Sequence, residues 1–356
     1  MADNYASYLK HPVFKVASQI AGEQNLQCFV IGGYVRDLIL KRPSKDIDIV
    51  VVGNGLEMAE ACGEKLRVKK VNYYKNFGTA QFMYKDLDVE FVGARKESYQ
   101  RDSRKPIVEN GTLEDDQNRR DFTINALAIS LHPNSFGELI DPFGGVKDLE
   151  RGIIKTPLEP GITYSDDPLR MMRAIRFATQ LDFKIETASL EALKSNAHRL
   201  DIISKERIMD ELNKIILSPT PSRGFKLLFS TGLLHRFFPE MVALQGVETI
   251  NGYSHKDNFY HTLEVLDNIS ENTDNLWLRW AAIMHDIAKP PTQRFVPGIG
   301  WTFHGHDALG ASWTKRIFAR LSLPLDDRMK YVRKLVRLHL RPIALVSEEV
   351  SDSAIR

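Results

Sequence analysis

Residues 29–52 read FVIGGYVRDLILKRPSKDIDIVVV: an apolar run, a Gly-Gly turn opening a short helix at Tyr34, a basic loop, and a second apolar run headed by two carboxylates. Apolar periodicity predicts a helix over 12–24 that covers the first strand and a second helix from Asn54-Gly55 to about Leu66. Strand-like runs follow at 68–74, 79–84 and 87–92. Alternation of helix and strand followed by clustered strands predicts a small α/β head with a mixed sheet, roughly 150 residues long. Residues 95–120 are polar with little periodicity and read as a long loop. They end in RRDFTINALAI, where an apolar helical run would place Arg119 and Arg120 at a helix start. DPFGGVKDLERG, residues 141–152, is a glycine-punctuated connector. In YSDDPLRMMRAIRFATQLDF, Ser165 is the expected N-cap, Pro168 suits the first turn, and Leu169, Met172, Ile175 and Phe177 form a buried stripe. Residues 186–240 are helical in pattern, with Ile208, Leu212, Ile215 and Ile216 on one side of a helix. Farther on, WLRWAAIMHDIAKPP predicts an apolar helix stopped by Pro290 and Pro291.

The length of 356 residues allows two or three domains, and 43% hydrophobic with 26% charged residues is ordinary for a globular chain. Forty-eight basic against 46 acidic residues leave a net charge of +2, so any nucleic-acid surface must come from local segregation of charge. Lys194, His198, Arg199, Lys205, Lys214, Arg223 and Lys226 are candidates for such a stripe, although a solvated helix face is the default for each. Two cysteines, Cys28 and Cys62, provide neither a disulfide framework nor zinc spacing. The N-terminus lacks a signal-peptide core, and no run of about 18 apolar residues occurs. A cytoplasmic protein without membrane partners is expected.

The chemistry concentrates in the opening stretch. Gly32 and Gly33 permit close backbone approach to an anion at a helix start, and Arg36 adds a charged donor. Asp46 and Asp48 are two apart on a strand and share a face; Mg²⁺ favours such carboxylates together with substrate phosphates. Asp88 and Glu90 share a face by the same period, and either is a candidate third metal carboxylate. Arg119 and Arg120 can brace a triphosphate through bidentate contacts, or form a structural ion pair with Asp115 or Asp116. Asp167 and Arg170, three apart, would project from one helix face. Such an acceptor beside such a donor fits the amino group and unprotonated ring nitrogen of cytosine and adenine. Uracil and guanine, with a carbonyl beside a ring N–H, would leave unpaired groups, at roughly 1–3 kcal/mol per bidentate pair. Toward the C-terminus His261, His285, Asp286, His304 and His306 offer imidazole and carboxylate ligands that suit several divalent metals.

GGYVRD followed by DID resembles the nucleotidyltransferase superfamily signature, in the branch of tRNA CCA-adding enzymes and bacterial poly(A) polymerases. RRDFTINAL is similar to another block of that family. The family's (Glu/Asp)-Asp-x-x-Arg block falls on Asp166, Asp167 and Arg170, and Ser204, Glu206 and Arg207 resemble a block supporting the nucleotide-reading helix. The tandem His-Asp resembles HD-type phosphohydrolases, whose closing aspartate has no convincing match before Arg356. The resemblance implies an α+β chain with a polymerase-beta-like mixed-sheet head (1–155), an all-α neck (156–245) and an α-helical, C-terminally truncated HD domain (246–356). It implies transfer of CMP and AMP from CTP and ATP to the tRNA 3′ end, with two Mg²⁺ ions on Asp46 and Asp48. Gly32, Gly33, Arg36, Arg119, Arg120, Asp167, Arg170 and Arg173 would bind nucleotide, and His261, His285, Asp286 and His306 would hold an HD-domain metal. Poly(A) polymerase, CC-only or A-only addition, and an HD phosphohydrolase or RNA-binding protein with an inactive head remain as alternatives.

Overall fold

The structure, a computed structural model, describes residues 4–75, 78–100 and 103–342. The chain divides into two compact units, Met1–Asp167 with Lys184–Ser189, and Pro168–Phe183 with Leu190–Arg356.

The first unit starts with α1 (Pro12–Gln24), β1 (Cys28–Ile31), α2 (Gly33–Ile39), β2 (Asp46–Val51) and α3 (Gly55–Leu66). Next come β3 (Asn72–Tyr74), β4 (Thr79–Tyr84) and β5 (Leu87–Gly93). Asn54 caps α3 by accepting from the amides of Leu56 and Glu57, so the helix begins where the Asn-Gly signal placed it. The predicted strand over 68–74 shortens to β3, because Arg67 (φ 53°) and the Val68 amide close α3 onto its own carbonyls. A seven-stranded mixed sheet runs β3-β4-β5-β2-β1 and continues into β8 (Ala128–Ser130) and β9 (Leu139–Ile140).

Register divides the sheet into two chemistries. Ile47 pairs with Val89 and Val89 with Phe82, all fully buried or nearly so on the face against α3, where Gly63 approaches Phe82. Each such side chain contributes about 1.5–3 kcal/mol on burial. The opposite face carries Asp46 beside Asp88 and Asp48 beside Glu90, then turns apolar through Phe29, Ile31, Val50, Ala94 and Ala128. The carboxylates thus sit at the mouth of a dry core.

Residues 95–120 are not a loop. β6 (Arg95–Gln100) and β7 (Ser103–Asn110) form an antiparallel hairpin, followed by α4 (Leu113–Asn118) with a Thr112–Asp115 capping box. A two-stranded ribbon is marked by backbone pairing and not by an apolar face, so periodicity missed it. RRDFTINALAI also departs from the expectation: Arg119 caps the end of α4, Thr123–Asn125 is a single 3₁₀ turn, and β8 is a strand paired to β1. Residues 121–131 are all buried, and a run without an exposed face has no period to read. The connector forms α5 (Gly145–Arg151), whose first amides donate to Asp141, and leads to β10 (Ile153–Ile154).

Glu159 and Pro160 start α6 (Pro160–Asp166) ahead of the expected helix, so Ser165 lies inside it, and the N-cap of the next helix is Pro168. In the second unit α7 (Leu169–Gln180) begins after Pro168 and buries Leu169, Met172, Ile175 and Phe177. β11 (Lys184–Ile185) returns to the first unit beside β10. The helices α8 (Thr187–Asn196), α9 (Lys205–Ile216), α10 (Pro221–Ser230), α11 (Leu233–Phe237) and α12 (Pro239–Val242) follow. Ile208, Leu212, Ile215 and Ile216 line the buried side of α9.

The last third is α-helical with two small hairpins, β12 (Thr249–Ile250) with β13 (Tyr253–Ser254), and β14 (Arg294–Val296) with β15 (Gly300–Thr302). Its helices are α13 (Asn258–Ser270), α14 (Leu276–Met284), α15 (Lys289–Thr292), α16 (His306–Arg320) and α17 (Asp327–Leu338). α14 ends at Met284, ahead of the prolines, which instead open the one-turn α15. Buried Arg279 donates to the carbonyls of Ile216, Ser218, Ser270 and Thr273, tying the C-terminal ends of α9 and α13 to α14. Among the described residues no helix is long and apolar enough to cross a membrane.

Candidate active site and metal centre

Asp46 is exposed at the start of β2 and Asp48 is largely enclosed one register step on. Burial pushes the Asp48 carboxyl up; Arg120 opposes the rise, and the charges of Asp46, Asp116 and Asp88 add to it. Glu90 is likewise raised, by burial and then by Asp48 and Asp88. This is a site with surplus negative charge, which fits a divalent cation. Gln81 donates to both oxygens of Asp88 at 2.6 Å, whereas Glu90 is the cross-strand partner of Asp48.

The Gly-Gly turn borders these carboxylates. Gly32 has φ +80°, a conformation that disfavours a side chain, and a Cβ there would lie 2.8 Å from Arg120 Nη1 and 3.4 Å from Asp48 Oδ2. Glycine at this position lets a guanidinium lie across the turn beside Asp48. Arg36 is buried, with Nε and Nη2 donating to Asp37 and Nη1 donating to Asn125 Oδ1 at 2.8 Å. Asn125 in turn donates to Asp121 at 3.0 Å, and its carbonyl accepts from Arg120 Nη1 at 3.4 Å. Two motifs far apart in sequence are joined through one amide side chain. Arg119 and Arg120 both pair with Asp116, and Arg119 also reaches Glu97 at 3.3 Å. The ion pair considered for these arginines exists, on Asp116 and not Asp115, whose carboxylate serves the Thr112 cap.

A second cluster centres on buried Asp286. His285 Nε2 and His261 Nε2 lie 3.0 and 3.7 Å from its Oδ2, and His306 Nε2 and His339 Nε2 lie 3.2 and 3.7 Å from its Oδ1. Nδ1 of His285, His306 and His339 is 2.7, 2.6 and 2.7 Å from the carbonyls of Ala282, Phe303 and Val336. A carbonyl only accepts, so Nδ1 carries a proton and Nε2 is the ring nitrogen turned toward the carboxylate. Lys289 Nζ is 2.7 Å from Oδ2, yet that buried oxygen meets no donor in hydrogen-bond alignment. Burial alone would raise Asp286, but His285, His306 and Lys289 outweigh it and hold the carboxyl well below the usual range. His306 is raised against its own burial by Asp286, and burial lowers His261 and His339. Among the described residues two triads share Asp286, namely His261 with His285 and His306 with His339, with ligand atoms within 4.8 Å of one another. Imidazole nitrogens converging around a buried carboxylate whose Oδ2 has no aligned donor fit a divalent cation. Beside them lies a cavity of about 760 Å³ with an apolar wall that includes Val265, Leu278 and Leu335.

Family models match in the same order as these features: the poly A polymerase head domain over residues 28–155, a probable RNA- and SrmB-binding site of polymerase A over 182–244, and the HD domain over 258–355. A multifunctional CCA protein of Nitrosococcus oceani is 34% identical over 307 residues, covering 84% of this chain and 71% of the relative. The chain belongs to the family of CCA- and A-adding tRNA nucleotidyltransferases. An A-adding tRNA nucleotidyltransferase of Deinococcus radiodurans is 39% identical over 64% of this chain, and the match spans 52% of that relative's length. The chain thus spans about half the length of that relative. Among solved structures, the Thermotoga maritima CCA-adding enzyme complexed with tRNA is 25% identical with a TM-score of 0.69, covering 99% of this chain and 80% of that one.

Within this chain the expected base-reading residues are placed differently from the helix-face reading. Asp167 is extended (φ −130°, ψ 95°) beyond α6, in the first unit, while Arg170 is buried in the first turn of α7, in the second. Asp166 is the last residue of α6, and Arg173 lies on α7 with its guanidinium 5.5 Å from the Phe177 ring. In the candidate RNA stripe, Lys194 and Lys214 pair with Glu191 and Glu211, and Arg223 pairs with Asp182. His304 is exposed ahead of α16 and belongs to neither metal triad. Sequence reasoning missed His339, Lys289, Asn125 and the double pairing of Asp116. His339 follows a strongly basic helix, and no spacing rule tied it to Asp286; Lys289 was legible only as the lysine after His-Asp-Ile-Ala.

Proposed function

We propose that the chain completes tRNA 3′ ends, transferring CMP and AMP from CTP and ATP with release of pyrophosphate. The observation that supports this reading is the adjacency of Asp48, Gly32 and Arg120: a carboxylate, a turn open to close approach and a guanidinium. Asp46 and Asp48 would hold two Mg²⁺ ions, with Glu90 as the third carboxylate available beside them. Such ions activate the primer 3′-hydroxyl and neutralise charge on the triphosphate when bound. The Gly32–Gly33 backbone admits phosphate closely, and Arg119 and Arg120 supply positive charge to it. Arg36, braced by Asp37 and Asn125, adds its charge to the phosphate site at that turn. Asp167 and Arg170, with Arg173 nearby on α7, select C and A in the protein's own reading of the base.

The head, neck and HD segments take the boundaries 1–155, 156–245 and 246–356 in this proposal, with a divalent cation on His261, His285, Asp286 and His306 in the last. A second reading, addition of the terminal A alone, is favoured by the 39% identity to an A-adding protein. The test is to incubate the chain with tRNA ending at the discriminator base or at CC, with each NTP alone and combined, and to sequence the products. Ordered CCA addition supports the proposal. A added only to CC-ended tRNA supports the second reading, a long A tail on a non-tRNA primer supports a poly(A) polymerase, and no incorporation overturns all three. In the same assay Asp167→Ala should admit UTP and GTP; unchanged selectivity removes the base-reading assignment.

A further inference from the structure

The side chain of Asp116 is fully buried in α4, and each of its oxygens serves a different arginine. Oδ1 accepts from Arg119 Nε at 2.9 Å and from its Nη2; Oδ2 accepts from Arg120 Nε at 3.1 Å and from Nη2 at 3.0 Å. Both guanidinium groups are gripped along the same edge, which leaves their Nη1 atoms outside the grip. Arg119 Nη1 points to Glu97, and Arg120 Nη1 lies across the Gly32 turn next to Asp48. Two adjacent arginines without a shared counter-charge repel each other and sample many rotamers. One carboxylate between them cancels that repulsion and fixes both planes, and two N–H groups of each arginine on one oxygen resist rotation about the side-chain axis.

We propose that Asp116 is a positioning residue for nucleotide binding. It fixes Arg120 across the Gly32 turn, with Arg119 locked next to it, and does not itself touch the nucleotide. The inference rests on reading those arginines as triphosphate ligands, and its logic is preorganisation: the cations are in place before the nucleotide arrives, so their ordering is not a cost of binding. A purely structural Asp116 would hold α4 to the 3₁₀ turn without influencing affinity.

The two roles separate in a binding measurement. The dissociation constant for ATP in Mg²⁺ is measured on the full chain for wild type, Asp116→Asn, Asp116→Glu and Arg120→Ala, alongside thermal melts and tRNA affinity. Positioning predicts that folded Asp116→Asn binds ATP at least about tenfold more weakly, with tRNA affinity unchanged. Asp116→Glu, which keeps the charge but displaces it by one methylene, should recover part of that loss while remaining weaker than wild type. If Asp116→Asn does not fold, Asp116→Glu is the variant that decides. Wild-type ATP affinity in the deciding variant, with only a lowered melting temperature, overturns the positioning role. Wild-type affinity in Arg120→Ala instead overturns the reading of the arginines, so the two failures are distinguishable.

Discussion

The pKa values of Asp48 and Asp116 shift in opposite directions although both are largely enclosed carboxylates in one site. Burial raises Asp48 in spite of Arg120, with Asp46, Asp116 and Asp88 adding to the rise; its ionised form at neutral pH therefore destabilises the metal-free protein. Asp48→Asn should raise the melting temperature in EDTA at pH 7.5. That gain should shrink as pH falls and the wild-type carboxyl takes up its proton, and Mg²⁺ should stabilise wild type more than the variant. A lowered melting temperature at pH 7.5 would contradict this sign. For Asp116, burial is outweighed by Arg120 and Arg119, which hold the carboxyl below its usual value. Its stabilising contribution is present above about pH 4 and is lost as pH falls further. Breaking such a buried pair costs about 3–5 kcal/mol. Urea midpoints of Asp116→Asn should therefore fall well below wild type at pH 7 and converge with it below about pH 4; a gap independent of pH would contradict the ion-pair account.

Elements whose apolar side faces a core were legible. α1 and α3 match the periodicity because one stripe packs while the other is wet, and β2 was legible because Asp46 and Asp48 alternate with Ile47 and Ile49. The β6–β7 hairpin and the strand β8 escaped for opposite reasons, the one because its sequence shows no apolar alternation and the other because it lacks a polar face. Close backbone approach is another feature that sequence only hints at. In α5 a Cβ on Gly145 would overlap the Thr123 carbonyl oxygen, at the turn that positions Asn125 and Asp121. Gly145→Ala should cost about 1–3 kcal/mol in urea unfolding through this overpacking. An unchanged midpoint would mean that α5 shifts without consequence for the turn.

At the scale of the molecule, the order of motifs revealed the family, because each segment keeps its own chemistry. The sequence could not show how Asp286 is surrounded, since its four histidines come from α13, the end of α14, the start of α16 and the residue after α17. Metal analysis after dialysis should find divalent cation in wild type, none retained by Asp286→Ala in the HD segment, and a reduced amount in His339→Ala. Equal metal in wild type and Asp286→Ala would place the cation elsewhere. The central claim, nucleotidyl transfer at the β2 carboxylates, is tested most directly by incorporation of labelled CMP and AMP into a tRNA lacking its CCA end, comparing wild type with Asp46→Ala. The account predicts template-independent addition by wild type and none detectable for a variant with an unchanged circular dichroism spectrum. Near-normal turnover by folded Asp46→Ala would contradict it.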